Sequence, residues 1–237
     1  MPRTTALKPE QVPPESKPTL DAFSKSLGFT PNMLASFAQS PIAFNAWAAF
    51  RSSLNKALDM KTREAISLIV SEVNGCNYCL AVHTYAANLA KLPADEIILA
   101  RKGHSSDPKR DAAVQFARKV IETRGQVNDS DVQAVRDAGY TDANIMEIIS
   151  MVAMFSLTNF FNNVFDPEKD YPAVPLAGSI WTLTNLGEKM ILDHPIFKRW
   201  PAQYPDRLQL FSLPTPNGVK VGIMLEETGL ALSLIHI

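Results

Sequence analysis

The 237 residues carry 23 Lys and Arg against 24 Asp and Glu, a formal net charge of −1. With 46% hydrophobic and 20% charged residues, the chain can bury one good core, or a core plus an appendage. The balanced charge, with no long basic run, excludes a nucleic-acid or membrane-surface partner held by a positive field.

Residues 1–18 contain Pro2, Pro9, Pro13, Pro14 and Pro18, which fix φ and remove donors, so this arm is expected to be extended. It lacks the apolar stretch of a signal peptide, which makes a reducing cytoplasm the expected location. In that compartment a close cysteine pair is more often chemical than a permanent staple.

From Thr19 onward the sequence reads as helix after helix. "TLDAFSKSL" stops at Gly28, and "PNMLASFAQS" runs from Pro31 to just before Pro41. "PIAFNAWAAFRSSLNKAL" sets Ile42, Trp47, Phe50 and Leu54 at helical spacings. "MKTREAISLIVSEV" follows, then a segment to Leu92, then "PADEIILARK" ending at Gly103. Asp107 and Pro108 open the next helix, which ends at Gly125; "NDSDVQAVRDA" ends at Gly139, and Thr141 caps the last one. The most apolar segment, "NIMEIISMVAMFSLTNFF", contains Glu147 and two Asn and is too short and interrupted to span a bilayer. It is expected to be a core helix that also contributes to a subunit interface. No period-2 strand occurs here, so residues 19–177 are assigned to one all-α domain.

Beyond it the character changes. Residues 178–205 mix Trp, Pro, Gly and charges without a period, as a linker does. In residues 206–237, "LQLFSL" reads as a strand, followed by a Pro-Asn-Gly break and an apolar helix. One strand and one helix cannot bury their own apolar faces, so this is an incomplete unit.

Both cysteines lie in "SEVNGCNYCLAVH", residues 71–83. Asn74-Gly75 breaks the chain, Asn74 being a suitable cap, and Cys76 then falls in the first turn of a new helix, where free N–H groups and the positive dipole end stabilise a thiolate. Cys79 and His83 follow at intervals of three and four on the same helix face. The histidine can take the Cys79 proton, and the two cysteines can close a disulfide. Glu64, twelve residues before Cys76, lies on the preceding helix; an antiparallel pair would bring it against His83 to orient the imidazole. Glu72, beside the break, is expected to be solvated. Three readings stay open on the residues alone: a redox dithiol, a metal site using Cys76, Cys79 and His83, and two small buried residues beside a core imidazole. A closed zinc site needs a fourth ligand, and no second C-x-x-C or H-x-x-H occurs. His104, His194 and His236 are expected at the surface.

"REAISLIVSEVNGCNYCLAVHTYAA" resembles the signature of the alkylhydroperoxidase D-like, or carboxymuconolactone decarboxylase-like, family: a Glu on one helix, then C-x-x-C-x-x-x-H on the next. The resemblance extends from the N-terminus to about residue 175. It implies an all-helical fold, a homo-oligomer and thiol-dependent peroxidase activity, with Glu64, Cys76, Cys79 and His83 as the active residues. It further implies that Cys79 attacks the peroxide and Cys76 resolves, whereas the dipole argument alone favours Cys76. No cofactor is implied beyond the Cys76–Cys79 couple. The implied partners are a hydroperoxide and an external dithiol or low-molecular-weight thiol. Some members carry a histidine between the cysteines; here Tyr78 stands there, able to donate a hydrogen bond or simply to pack. The alternatives are a carboxymuconolactone decarboxylase-like enzyme acting on a lactone or other carbon acid, which needs no cysteine pair, and a non-catalytic metal-binding or oligomeric scaffold.

"LQLFSLPTPNGVKVGIMLEETGL" is similar to the opening of glutathione-transferase thioredoxin-like domains, which implies vestigial glutathione contacts at Thr215, Pro216 and Asn217. The final "LSLIHI" matches the in-frame translation of a common sequencing-transposon end, so a fusion or two joined reading frames is expected.

Overall fold

A computed structural model describes residues 2–172, 174 and 176, together with the backbone of residues 208–212 and 232–236. The chain divides into two units, Met1–Ala177 and Gly178–Ile237. In the first, a 3-10 turn at Pro9–Gln11 precedes α1 (Lys17–Leu27), α2 (Asn32–Phe37) and α3 (Pro41–Leu54). Then come α4 (Met60–Val73), α5 (Asn77–Leu89), α6 (Ala94–Arg101), α7 (Pro108–Thr123), α8 (Asp129–Asp137) and α9 (Asp142–Phe165). This unit is all-α, and its helix boundaries follow local chemistry. Ser40, Asp59, Asp107 and Thr141 each accept a backbone N–H at a helix start. The arm is less extended than its prolines suggest, because Pro9 and Pro18 occupy the first turns of a 3-10 turn and of α1, where a missing N–H costs nothing.

α4 is the central helix and packs against α5, α6, α7 and α9. Its residues Ala65 to Ser71 are all buried, so it shows no polar face there. Phe44, Ile66, Leu68, Leu80, Ile148 and Met151 are essentially inaccessible to solvent. Each such side chain contributes roughly 1.5–3 kcal/mol by leaving water. An aromatic cluster closes one end: Phe37 lies 4.6 Å from Phe161, and Phe44 lies 6.0 Å from Trp47, centroid to centroid. The Trp47 indole N–H donates to Thr158 Oγ1 at 3.0 Å, which satisfies the polar atom this ring buries.

Of the four apolar α3 residues at helical spacings, two face outward. Ile42 is 88% exposed and Phe50 is more than one third exposed, while Phe44, Trp47 and Leu54 are buried. The helix turns its Phe44–Trp47 side inward because those rings meet Phe23 and Phe37. Helix α9 is long and apolar enough to cross a membrane by length and composition, but half of its most apolar stretch is buried within this unit. Its inner face carries Ile145, Ile148, Met151, Val152 and Phe155. Its outer face exposes Met146, Ile149, Leu157, Phe160 and Val164, three or four residues apart except across Ala153.

In the second unit, β1 (Leu208–Ser212) pairs in parallel with β2 (Leu232–His236), Leu208 opposite Leu232. The strand over "LQLFSL" is therefore present, and "LSLIH" supplies a partner strand that the sequence reading did not foresee. The 178–205 linker and the helix expected after the Pro-Asn-Gly break lie outside the described residues.

Candidate active site

The break between α4 and α5 is a Schellman turn. Gly75 sits at φ +65, its N–H bonds to the Glu72 carbonyl, and the Cys76 N–H bonds to the Ser71 carbonyl at 2.9 Å. Glycine tolerates that left-handed backbone without strain. Asn74 therefore ends α4 instead of capping α5, and Cys76 is itself the cap residue. Its Sγ accepts the Cys79 N–H at 3.2 Å, which puts Cys79 in the first turn. The two sulfurs are joined as a disulfide, with Cα atoms 5.3 Å apart. Both residues are buried. Because the cap is Cys76, two residues later than the Asn74 the sequence suggests, the free N–H groups and the dipole act on Cys79 as well as on Cys76.

α4 and α5 pack closely, which brings Glu64 to His83. The His83 Nδ1 and Glu64 Oε2 are 2.8 Å apart, and the two side chains are only 16% and 14% exposed. A carboxylate accepts, so Nδ1 carries the proton and Nε2 is the basic nitrogen. The Ser67 hydroxyl holds the Glu64 carbonyl at 2.7 Å and reaches Oε2 at 3.4 Å. Phe155 meets the imidazole edge-on at 5.1 Å and limits its rotation. Arg51 lies within electrostatic reach of Glu64; burial pulls its guanidinium below the ordinary value, while Glu64 opposes that shift.

The Tyr78 hydroxyl is hydrogen-bonded to groups other than the sulfurs. It donates to Asp170 Oδ1 at 2.7 Å and accepts the Met33 N–H at 3.4 Å. Asp170 Oδ2 in turn accepts the Asn32 N–H at 2.5 Å, so the segment after α9 is tied to α2 and α5. Burial, then the hydrogen bond to Asp170, pushes the Tyr78 phenol above its usual range, and it stays protonated. Tyr171, packed near Phe29, Tyr78 and Tyr85, is pushed up to about 12 by burial and then by Asp170.

Glu72 is not solvated as expected. Its Oε2 accepts from Arg101 Nε at 2.8 Å, with both side chains 13% exposed. The last turn of α6 delivers Arg101 to it, a pairing across 29 residues that local sequence does not announce. His104 is 54% exposed and lies 3.4 Å from Asp111. His194, His236, Thr215, Pro216 and Asn217 lie outside the described residues. Among the described residues, no three His, Cys, Asp or Glu side chains gather as a metal site requires.

Sequence reasoning missed a row of amides on α9. Asn162 Nδ2 lies 3.1 Å from Cys79 Sγ, and Asn159 Oδ1 accepts from Asn74 Nδ2 at 2.9 Å. Asn163 Nδ2 donates to the Asn74 carbonyl at 2.7 Å, fixing the turn that precedes Cys76. The available signal was three asparagines within five residues at the end of the most apolar helix, since buried amides require partners.

Residues 41–123 match the carboxymuconolactone decarboxylase family. That stretch contains Glu64, both cysteines and His83 and stops well short of Thr215, so nothing in the match supports the glutathione-transferase resemblance. No curated protein matches the chain. Among solved structures, it is similar to the alkylhydroperoxidase AhpD core of an uncharacterized peroxidase-related protein from Ralstonia eutropha JMP134. Identity is 24% and the TM-score 0.65, over 71% of this chain and 92% of that one. An uncharacterized peroxidase-related protein from Silicibacter sp. TM1040 is also 24% identical, with a TM-score of 0.62 over 71% and 94%. The ligand-free debrominase Bmp8 is 20% identical, with a TM-score of 0.61 over 77% and 97%. At these identities the likeness establishes the all-α fold alone.

Proposed function

We propose that the protein is a thiol-dependent peroxidase whose working couple is Cys76–Cys79, with His83 and Glu64 as its proton-handling pair. The observation that carries this reading is a disulfide at a helix start, four residues before an imidazole held by a carboxylate at 2.8 Å. In the reduced protein, His83 Nε2 takes the Cys79 thiol proton. The thiolate sulfur bonds to the distal peroxide oxygen as the O–O bond breaks. The departing alkoxide takes a proton from the imidazolium and leaves as an alcohol. Cys79 is then a sulfenic acid. Attack by the Cys76 sulfur forms the disulfide and releases water. An external dithiol or low-molecular-weight thiol supplies the two electrons that restore the thiols.

The test is stoichiometric. Reduced protein given one equivalent of a hydroperoxide loses both thiols and yields one alcohol, and a dithiol reductant sustains turnover. Thiols that persist under excess peroxide would refute the reading. Proton transfer at a carbon acid is a second reading, favoured by the family match over residues 41–123 and by a Glu64–His83 pair that needs no sulfur. Lactone decarboxylation surviving in a chain with both cysteines replaced by serine would select it.

The same proposal includes a homo-oligomer. Of the exposed α9 residues, Leu157, Phe160 and Val164 line one apolar groove with Phe50 of α3, a face of the sort that marks an interaction surface. Sedimentation velocity is expected to give a species larger than one chain, and Phe160→Asp with Leu157→Asp to shift it to the monomer. A wild-type monomer at tens of micromolar would remove this part of the proposal.

A further inference from the structure

Asn162 is 4% exposed, and its side chain makes an incomplete set of hydrogen bonds. The amide Nδ2 lies 3.1 Å from Cys79 Sγ, while Oδ1 is buried with no hydrogen-bond partner. A disulfide sulfur has no proton to give, so only the NH2 end can face it favourably, and that fixes the carbonyl on the other side. Leaving a buried carbonyl unpaired is costly, and in a helix as apolar as α9 an aliphatic residue would avoid the cost. The amide therefore has its justification at the sulfur. Asn162 also lines a cavity of about 210 Å³, together with Gly75, Asn77, Tyr78 and Lys169; Cys79 itself is not part of its wall. Asn162 thus both touches the Cys79 sulfur and borders open space.

We infer that Asn162 is a catalytic residue for the proposed thiol chemistry: its Nδ2–H donates to the Cys79 thiolate and stabilises it in the reduced protein. This deepens the peroxidase reading and rests on it. The interaction should strengthen on reduction, because a hydrogen bond to an anion exceeds one to a neutral sulfur. It would also favour Cys79 over Cys76 as the ionised sulfur, since the Asn162 amide reaches Cys79.

The ionisable groups around Cys79 are His83 backed by Glu64, Tyr78 backed by Asp170, and Arg3, Asp166 and Lys169 around the cavity. Variants that share all of these isolate the amide. In a Cys76→Ser background only Cys79 remains, and its thiolate is read from the pH dependence of iodoacetamide alkylation, with no peroxide present. Asn162→Ala is expected to raise the apparent thiol pKa by about one to two units. Asn162→Asp keeps the shape but replaces the donor with an acceptor, and is expected to raise it further. A packing role predicts the reverse order, with Asp close to the parent and Ala worse. The inference fails if both variants stay within roughly 0.3 unit of the parent. Should both variants unfold, the Asn162 side-chain amide resonances in the Cys76→Ser protein provide the test. They are expected to move with the Cys79 titration, and resonances indifferent to it overturn the proposal. Because the readout is alkylation, a protein that never consumed peroxide would defeat the peroxidase reading while leaving this result intact.

Discussion

Replacing Cys79 by serine is expected to drop peroxide turnover to the uncatalysed background. Cys76→Ser is expected to keep the first oxidation and lose recycling through the intramolecular disulfide. The two cysteines are not equivalent in the fold. Cys76 caps α5 and its sulfur is already engaged by the Cys79 N–H, whereas Cys79 lies inside the first turn beneath Asn162 and one turn before His83. A serine at position 79 is too weak a nucleophile at neutral pH to attack an O–O bond. Trapping of a sulfenic acid by a dimedone-type reagent in Cys76→Ser, and its absence in Cys79→Ser, is the direct measurement. Undiminished turnover in Cys79→Ser would end the assignment. Neither variant should collapse the fold. The disulfide closes a loop of only a few residues, so its chain-entropy contribution is about 2 kcal/mol. Core burial along α4 does not depend on it. A bond that adds so little stability can be opened and closed in a working cycle without unfolding its surroundings.

The parts of this site that could be read from sequence are those set by short spacing. Cys76, Cys79 and His83 are fixed by one helical turn, and the Gly75 break by the need for a left-handed residue. Helix ends marked by Asp107, Gly28 and Thr141 were visible for the same reason, since a cap is chosen by its own side chain or, for glycine, by a left-handed backbone. The Glu64–His83 contact needed one tertiary assumption, that α4 and α5 pack antiparallel. What escaped notice was delivered across the fold. Asn162 reaches Cys79 over 83 residues, and Asp170 reaches Tyr78 over 92. Arg101 finds Glu72 only because α6 folds back on α4. That Ile42 and Phe50 face outward was not legible for a different reason. Helical periodicity locates an apolar stripe, but α3 and α9 are apolar on more than one side, and sequence does not say which side meets the core.

The second large effect is expected at His83. His83→Ala should lower kcat/KM by about 100- to 10,000-fold near neutral pH, the range for losing a positioned general base. The loss should shrink as pH rises, because an unassisted thiol ionises on its own near about 8.5. A deficit equally deep at pH 9.5 would mean that His83 contributes structure, not proton transfer. Glu64→Gln should cost less, because a glutamine carbonyl can still accept the Nδ1–H and keep the ring in place, but without the charge that stabilises the imidazolium. The informative comparison is the double variant. Glu64 is 2.8 Å from His83 Nδ1, on the side of the ring opposite its basic nitrogen, so its effect is transmitted through the ring. Once His83 is alanine, Glu64→Gln should therefore cost almost nothing further. Additive losses would show that Glu64 acts on the sulfur or the substrate by some other route. The neighbouring Arg51, held partly buried and within reach of Glu64, would then be the group to test for such a route.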